Sequence, residues 1–80
     1  MTREQKRIEK TILKFTYRMV KKMDLGYKKG FAGWDTIFKK DYLLYKLNEK
    51  IAQINDGDKE QYVDAANYLM MLDNLERKPK

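Results

Sequence analysis

The chain has 80 residues, no cysteine, no histidine and a net charge of +6. These counts exclude disulfides, zinc-thiolate and imidazole metal sites, and every catalytic triad or dyad that needs His or Cys. A chain of this length buries only about 60 % of the surface that its unfolded form exposes, so we expect it to gain stability by oligomerisation.

The first predicted element is a helix over about 3–23. Thr2 and Gln5 have the spacing of a capping box, and an apolar stripe follows at helical steps. The stripe consists of Ile8, Ile12, Phe15, Met19 and Met23. Residues 1–40 hold 12 Lys and Arg against 4 Asp and Glu, a net charge of +8, whereas residues 41–80 hold 6 against 8, a net charge of −2. A basic half attracts phosphates, acidic surfaces or nucleic acid; the alternative is a surface that only keeps the protein soluble.

The segment 24–35, DLGYKKGFAGWD, follows this helix and is predicted to be a loop. It contains three glycines that can adopt positive φ. Its aromatic residues alternate with lysines, in the order Tyr27, Lys28, Lys29, Phe31 and Trp34. The lysines can contact a phosphate and Trp34 can stack on a base. The alternative is an aromatic cap over the helix ends, which we favour for Phe31.

Two further helices are predicted over about 41–55 and 59–77. Asp41 is a candidate N-cap for the first, whose apolar positions are Leu44, Leu47, Ile51 and Ile54. Gly57 suits the left-handed position after a helix, and Asp58 can cap the next one. We therefore predict an antiparallel helical hairpin at the C-terminal end of the chain.

Apolar residues nearly encircle the helix predicted over 59–77, a pattern typical of a helix covered on several sides. Two other helices are too few to cover it, so we predict contact with a second chain, most simply a copy of itself. The predicted fold is all-α: one domain, 1–80, a three-helix unit with a C-terminal hairpin, assembled into a helical homo-oligomer. Since no apolar run approaches the length of a membrane span and the start lacks the apolar part of a secretory signal, we expect no membrane partner and a cytoplasmic location.

Asp64 and Asn67 lie three residues apart within the most apolar stretch of the chain. Burying a carboxylate without a partner costs several kcal/mol, so Asp64 should be paired or coordinating something. One hypothesis is a three-carboxylate site for Mg²⁺, formed by Glu49, Glu60 and Asp64. The alternative is a network between Asp64 and Lys50 or Asn67 that fixes the register of the helices.

The order of three features resembles small phage-encoded relatives of the MazG-like all-α nucleotide pyrophosphohydrolases. They are a GGW-like element at 30–34, the helix YLLYKLNEKIAQI and the helix YVDAANYLMML, so the resemblance spans about 30–74. It implies nucleoside triphosphate hydrolysis with Mg²⁺ held by an ExxE motif on one helix and an ExxD motif on the next, in dimers or tetramers.

Three of the four metal-ligand positions of that family are changed here. Lys50 and Gln53 stand where the glutamates of ExxE would lie, Gln61 replaces the glutamate of ExxD, and only Asp64 remains. A lysine brings positive charge to the place of a cation. The resemblance therefore implies nucleotide-binding ancestry more than a working hydrolase, with Lys50 free to contact a phosphate.

The favoured hypothesis is a non-catalytic, cofactor-free protein that binds a nucleotide or nucleotide-derived signal, and in a phage setting sequesters it in the host cytoplasm to counter host defence. Its predicted ligand-binding residues are Lys28, Lys29, Trp34, Lys50, Asp64 and Asn67. One alternative is a Mg²⁺-dependent pyrophosphohydrolase that uses the shifted carboxylates. The other is a basic helical protein that binds a host protein or nucleic acid.

Overall fold

The computed structural model describes residues 1–30 and 33–77, which form four helices and no strand. The helices are α1 (Arg3–Lys28), α2 (Trp34–Ile37), α3 (Lys40–Asn55) and α4 (Gln61–Arg77). The predicted all-α fold is therefore confirmed over these residues. No helix in the described part of the chain combines the length and the apolarity that crossing a membrane requires.

Helices α3 and α4 pack together as the predicted hairpin. Gly57 closes the turn with φ of +96°, donating its N–H to the carbonyl of Ile54 at 2.9 Å, while the N–H of Asp58 bonds to the carbonyl of Gln53 at 3.0 Å. This pair of bonds is a Schellman motif, which satisfies carbonyls that the end of α3 would otherwise leave unpaired. Asp58 in turn accepts the N–H of Glu60 at 3.1 Å.

Helix α1 begins as predicted and ends later. The N–H of Gln5 bonds to the hydroxyl of Thr2 and the N–H of Thr2 bonds to the side chain of Gln5, which completes the capping box. The helix then continues through Lys28, where the sequence pattern predicted a loop from residue 24 onwards. An ion pair of 3.1 Å between Asp24 and Lys28, four residues apart, supports the extra turn.

The predicted loop is also interrupted further on, because α2 begins at Trp34. Gly33 precedes it with φ of +79°, a conformation that glycine adopts without a steric penalty. Helix α3 starts at Lys40, after Lys39 as N-cap and without a side-chain cap bond, so the prediction of Asp41 as N-cap is wrong.

The core lies between α3 and α4 and consists of Leu43, Leu47, Ala65, Met71 and Leu72. Helices α1, α2 and α3 each pack on α4, which is therefore the central element of the fold. The predicted core face of α3 is partly wrong. Leu44 and Ile51 are 38 % and 44 % exposed, while Leu43, with 2 % exposure, is the most buried core side chain.

The inward face of α3 instead follows positions 43, 47, 50 and 54, which recur at steps of four, three and four residues. Lys50 therefore projects from the core-facing side of the helix. The observed inward face of α3 is thus rotated relative to the predicted one, so Lys50 rather than Ile51 lies opposite α4.

The first half of α1 is not covered by the other helices that the structure describes. Phe15, Met19 and Met23 are partly buried, but every residue from 3 to 14 is exposed, including Ile8 (53 %) and Ile12 (58 %). The prediction that α4 carries the surplus apolar surface is thus only partly right. On α4 the large exposed apolar side chains are Tyr62 and Leu69, and the longer uncovered stripe belongs to α1.

Candidate functional site

A pocket of about 470 Å³ lies where the C-terminal part of α1 meets α2, α3 and α4. Its volume falls within the range of roughly 300–1,000 Å³ that is usual for small-molecule sites. Four lysines line it: Lys22, Lys29, Lys46 and Lys50. Asp64 is the single carboxylate among the described lining residues. The wall of the pocket therefore carries an excess of positive charge.

Asp64 lies between two of these lysines. Its carboxylate oxygens are 3.6 Å from the Nζ of Lys22 on α1 and 3.7 Å from the Nζ of Lys50 on α3. The Asp64 and Lys50 side chains are 16 % and 17 % exposed, whereas Lys22 reaches into solvent. This arrangement satisfies the buried carboxylate and ties three helices together, as the register hypothesis for Asp64 and Lys50 predicts.

Asn67 is the most deeply buried polar residue in the described part of the chain, with 3 % exposure. Its Nδ2 donates to the carbonyl of Met19 at 3.3 Å, a bond that joins α4 to α1. Its Oδ1 has no hydrogen-bond partner among the described residues. The amide therefore fixes how α1 crosses α4 beside the pocket.

Five aromatic side chains also line the pocket and together form what we call its aromatic wall: Tyr27, Trp34, Phe38, Tyr42 and Tyr68. The rings of Phe38 and Tyr42 stack with centroids 5.0 Å apart and planes inclined by 24°. Desolvation by burial raises the pKa of Tyr68 above that of a free tyrosine, so its phenol stays protonated and can donate a hydrogen bond.

Lys46 stands next to this wall and is held by Glu49, whose carboxylate lies 3.1 Å from its ammonium group. That hydrogen bond raises the pKa of Lys46, which keeps the side chain charged. The lining of the pocket thus combines four lysines, five aromatic side chains and one paired carboxylate.

Five of the six residues predicted to bind a ligand line this pocket, namely Lys29, Trp34, Lys50, Asp64 and Asn67. Lys28 does not, because its ammonium group pairs with Asp24 on the exposed side of α1. Phe31, which we expected to cap the helix ends, lies outside the described residues.

Lys22, Tyr42, Lys46 and Tyr68 also line the pocket, and the sequence analysis missed them. Tyr42, Lys46 and Lys50 are spaced four residues apart and so share one side of α3. This spacing could have identified Tyr42 and Lys46 as pocket residues, but only if the inward face of α3 is taken to begin at Leu43 rather than at Leu44.

The predicted carboxylate site for Mg²⁺ is not formed. No group of three or more His, Cys, Asp or Glu side chains in the described residues is placed to hold a metal ion. Glu49 pairs with Lys46, Asp64 is held between two lysines, and Glu60 lies in the turn before α4. Glu49, Glu60 and Asp64 are thus separated by their own partners and by the fold.

A comparison of the chain with protein-family models, curated proteins and solved structures finds no match.

Proposed function

We propose that the chain binds a nucleotide or nucleotide-derived signal in this pocket and sequesters it without cleaving it. The observation that carries the proposal is the combination of four lysines, one carboxylate and an aromatic wall around about 470 Å³. A nucleotide joins an anionic phosphate to a flat aromatic base, so it has a group complementary to the lysines and another complementary to the aromatic side chains. The likeness to MazG-like pyrophosphohydrolases supports the same ligand class.

The lysines beside Asp64 keep hydrogen-bonding capacity for a phosphate. Charge-assisted N–H···O bonds are typically about 2.7–2.9 Å long. The contacts of Lys22 and Lys50 with Asp64 measure 3.6 and 3.7 Å, so they are ion pairs without short hydrogen bonds. A phosphate placed between α1 and α3 would offer both ammonium groups closer acceptors.

The aromatic wall can recognise the base of the nucleotide by stacking. Base–aromatic stacking contributes roughly 1–3 kcal/mol per base and tolerates different bases. Trp34 is the single tryptophan of the chain and lines the pocket, with Phe38 and Tyr42 stacked nearby. We therefore expect the phosphate to carry most of the specificity and the base to add affinity.

The state of the carboxylates supports binding without hydrolysis. A hydrolase of this kind needs carboxylates that hold a metal ion or activate water. In the described part of the pocket, the one carboxylate is already paired with two lysines, and nearby Glu49 is paired with Lys46.

The fluorescence of Trp34 and calorimetric titration together test the proposal. We expect nucleoside mono-, di- or cyclic phosphates to release heat and to quench Trp34, and adenosine and pyrophosphate to bind more weakly than a molecule that contains both parts. Lys50→Met should weaken binding about tenfold or more. The matched control is Lys59→Met, an exposed lysine outside the pocket. Absence of heat with every nucleotide, or equal losses in both variants, would contradict the proposal.

A second candidate function rests on α1. Lys6, Lys10 and Lys14 recur every four residues beside exposed Tyr17, which gives one side of this helix a row of positive charge. Such a row fits a nucleic-acid backbone. Binding to DNA or RNA should then weaken steeply with salt, by about 0.9 in the slope of log K against log salt for each phosphate contacted in duplex DNA. A salt-independent affinity would exclude this function.

A further inference from the structure

Apart from Leu13, Tyr17 and Val20, which share the side of α1 that carries the row of lysines, two separate apolar surfaces have no partner in the described structure. One is the stripe of Ile8 and Ile12, which continues the same side of α1 that packs on α4 through Met19 and Met23. The other is on the hairpin and consists of two pairs spaced seven residues apart: Leu44 and Ile51 on α3, and Tyr62 and Leu69 on α4. None of these four residues lines the pocket, and Leu44 lies about 200° around the axis of α3 from the pocket residues Tyr42 and Lys46, so we assign the second surface to the outer face of the hairpin.

The amount of exposed surface matches what a dimer buries. A compact monomer of 9.7 kDa exposes about 5,100 Å². This chain exposes 6773 Å², a surplus of about 1,600 Å² over that scaling. A standard interface buries about 800 Å² from each partner, and permanent homodimers bury more. The radius of gyration, 14.5 Å against about 12 Å for a compact chain of 80 residues, shows the same excess.

Charge determines which surfaces can meet. Helix α1 holds 9 Lys and Arg against 3 Asp and Glu, a net charge of +6, so two α1 helices placed against each other would repel. Residues 40–77 hold 5 against 8, a net charge of −3. Asp73 and Glu76 follow Leu69 on α4 at steps of four and seven residues, and they pair with Arg77 at 2.7 Å and Lys40 at 2.9 Å, so the acidic excess of the hairpin comes from its other carboxylates. The stripe on α1 is therefore complementary to the hairpin of another copy.

We infer that the chain forms a two-fold dimer in which the first half of each α1 lies on the outer face of the partner's hairpin. In this arrangement the two hairpins lie side by side, related by a two-fold axis. The second half of each α1 packs on α4 of its own hairpin, on the side of the pocket, and the first half continues onto the outer face of the partner's hairpin. The stripe on α1 of each copy then covers the outer face of the other copy's hairpin, so both surfaces are buried and the dimer is closed. Each α4 is enclosed between two α1 helices, which accounts for the apolar residues around its whole circumference.

Sedimentation equilibrium tests the interface with a matched pair of substitutions. Ile12 and Leu13 are adjacent and equally exposed, at 58 %, but project from different sides of α1. We expect the wild-type protein to be a dimer, Ile12→Glu to be monomeric at micromolar concentration, and Leu13→Glu to remain dimeric. A monomeric wild-type protein, or equal effects of the two substitutions, would overturn the inference.

The hairpin side of the interface has its own test. Leu69→Lys should raise the dimer dissociation constant at least tenfold, because it places a cation opposite basic α1, whereas Tyr45→Lys, at an exposed position off the outer face, should not. If Ile12→Glu dissociates the dimer and Leu69→Lys leaves it intact, α1 does not lie on the hairpin and the arrangement is wrong.

Circular dichroism is used to check that each variant is still helical. If Ile12→Glu or Leu13→Glu unfolds, the milder pair Ile12→Ala and Leu13→Ala is used instead. We then expect about a tenfold loss of dimer affinity for Ile12→Ala and no loss for Leu13→Ala. These outcomes are independent of nucleotide binding, which the Trp34 titration measures separately.

Discussion

The ammonium group of Lys50 lies 3.7 Å from a carboxylate oxygen of Asp64, and both side chains are more than four-fifths buried. The pair joins the two arms of the hairpin inside the wall of the candidate pocket. Lys22 approaches the same carboxylate from α1 at 3.6 Å. Asp64 therefore has two roles that a substitution can separate: it neutralises buried positive charge, and it occupies the lysines that would bind an anion.

Asp64→Asn is expected to lower the free energy of unfolding by about 2–3 kcal/mol, because it leaves Lys50 buried without its counter-charge. Lys50→Met should cost less, since Asp64 keeps Lys22 and the methionine can pack in the apolar surroundings. The double variant should be more stable than the sum of the single effects predicts. Urea denaturation followed by circular dichroism measures all three. Strict additivity would show that the two side chains do not interact.

The same substitution should have the opposite effect on binding. Asp64→Asn releases Lys22 and Lys50 from their carboxylate, so we expect a nucleotide to bind the folded variant more tightly than the wild-type protein. A metal-dependent hydrolase would instead lose affinity for its Mg²⁺-nucleotide complex and lose turnover. Calorimetry at a temperature where both proteins are fully folded distinguishes these results. A weaker affinity in Asp64→Asn would contradict the role that we assign to the lysines.

Two glycines should respond to alanine with opposite signs. Gly57→Ala is expected to destabilise the protein by about 1–2 kcal/mol, because Gly57 has φ of +96° in the turn between α3 and α4. Gly26→Ala should stabilise it by about 0.5–1 kcal/mol, since residue 26 lies inside α1 and a Cβ there would meet no atom within 4 Å. In a chain of this size 1 kcal/mol changes the melting temperature by roughly 4–8 °C, so thermal denaturation resolves both effects. Destabilisation by both substitutions would mean that the last turn of α1 is not helical.

Alkaline pH should reveal the burial of Tyr68. Burial raises its pKa, so the folded protein keeps the phenol proton at pH values where the unfolded chain has lost it. This contribution to stability is complete below the unfolded pKa of about 10 and is lost as the pH rises through the folded value. The raised pKa of Lys46, caused first by its hydrogen bond with Glu49, acts in the same direction.

We therefore expect stability to fall above about pH 10 and Tyr68→Phe to reduce that fall. The direct measurement is tyrosinate absorbance, in which Tyr68→Phe should remove an absorbance change that occurs above the pH at which a free tyrosine ionises. Tyr45→Phe, at an exposed position, is the control. The prediction would be contradicted if Tyr68→Phe removed the absorbance of one tyrosine but left the alkaline end of the titration curve unchanged.

Sequence patterns predicted those features that depend on local chemistry. The capping box of Thr2 and Gln5, the turn at Gly57 and the hairpin that it closes each involve residues close together in the chain. The burial of Asp64 was also predictable, because a carboxylate in an apolar helix needs a partner wherever the helix packs.

The end of α1 and the face of α3 were not predictable for a different reason. A glycine inside a helix costs only about 1 kcal/mol relative to alanine, so Gly26 could not exclude a longer helix that packs through Met23. On α3 the stripes that begin at Leu43 and at Leu44 fit the helical period equally well. Hydrophobicity favoured the stripe with Ile51, whereas the folded chain uses the one with Lys50, whose charge is satisfied only by the distant Asp64.

Among the four helices described, α1 packs closely only on α4, so it can detach without disturbing the contacts between α3 and α4. Such a partial opening would separate Lys22 from Asp64 and break the bond from Asn67 to Met19, which would expose the pocket to solvent. Hydrogen exchange in α1 should therefore be faster than in the centre of α4, and a molecule that bridges α1 and α3 should slow it. The same weakly held helix would then admit a ligand and close over it.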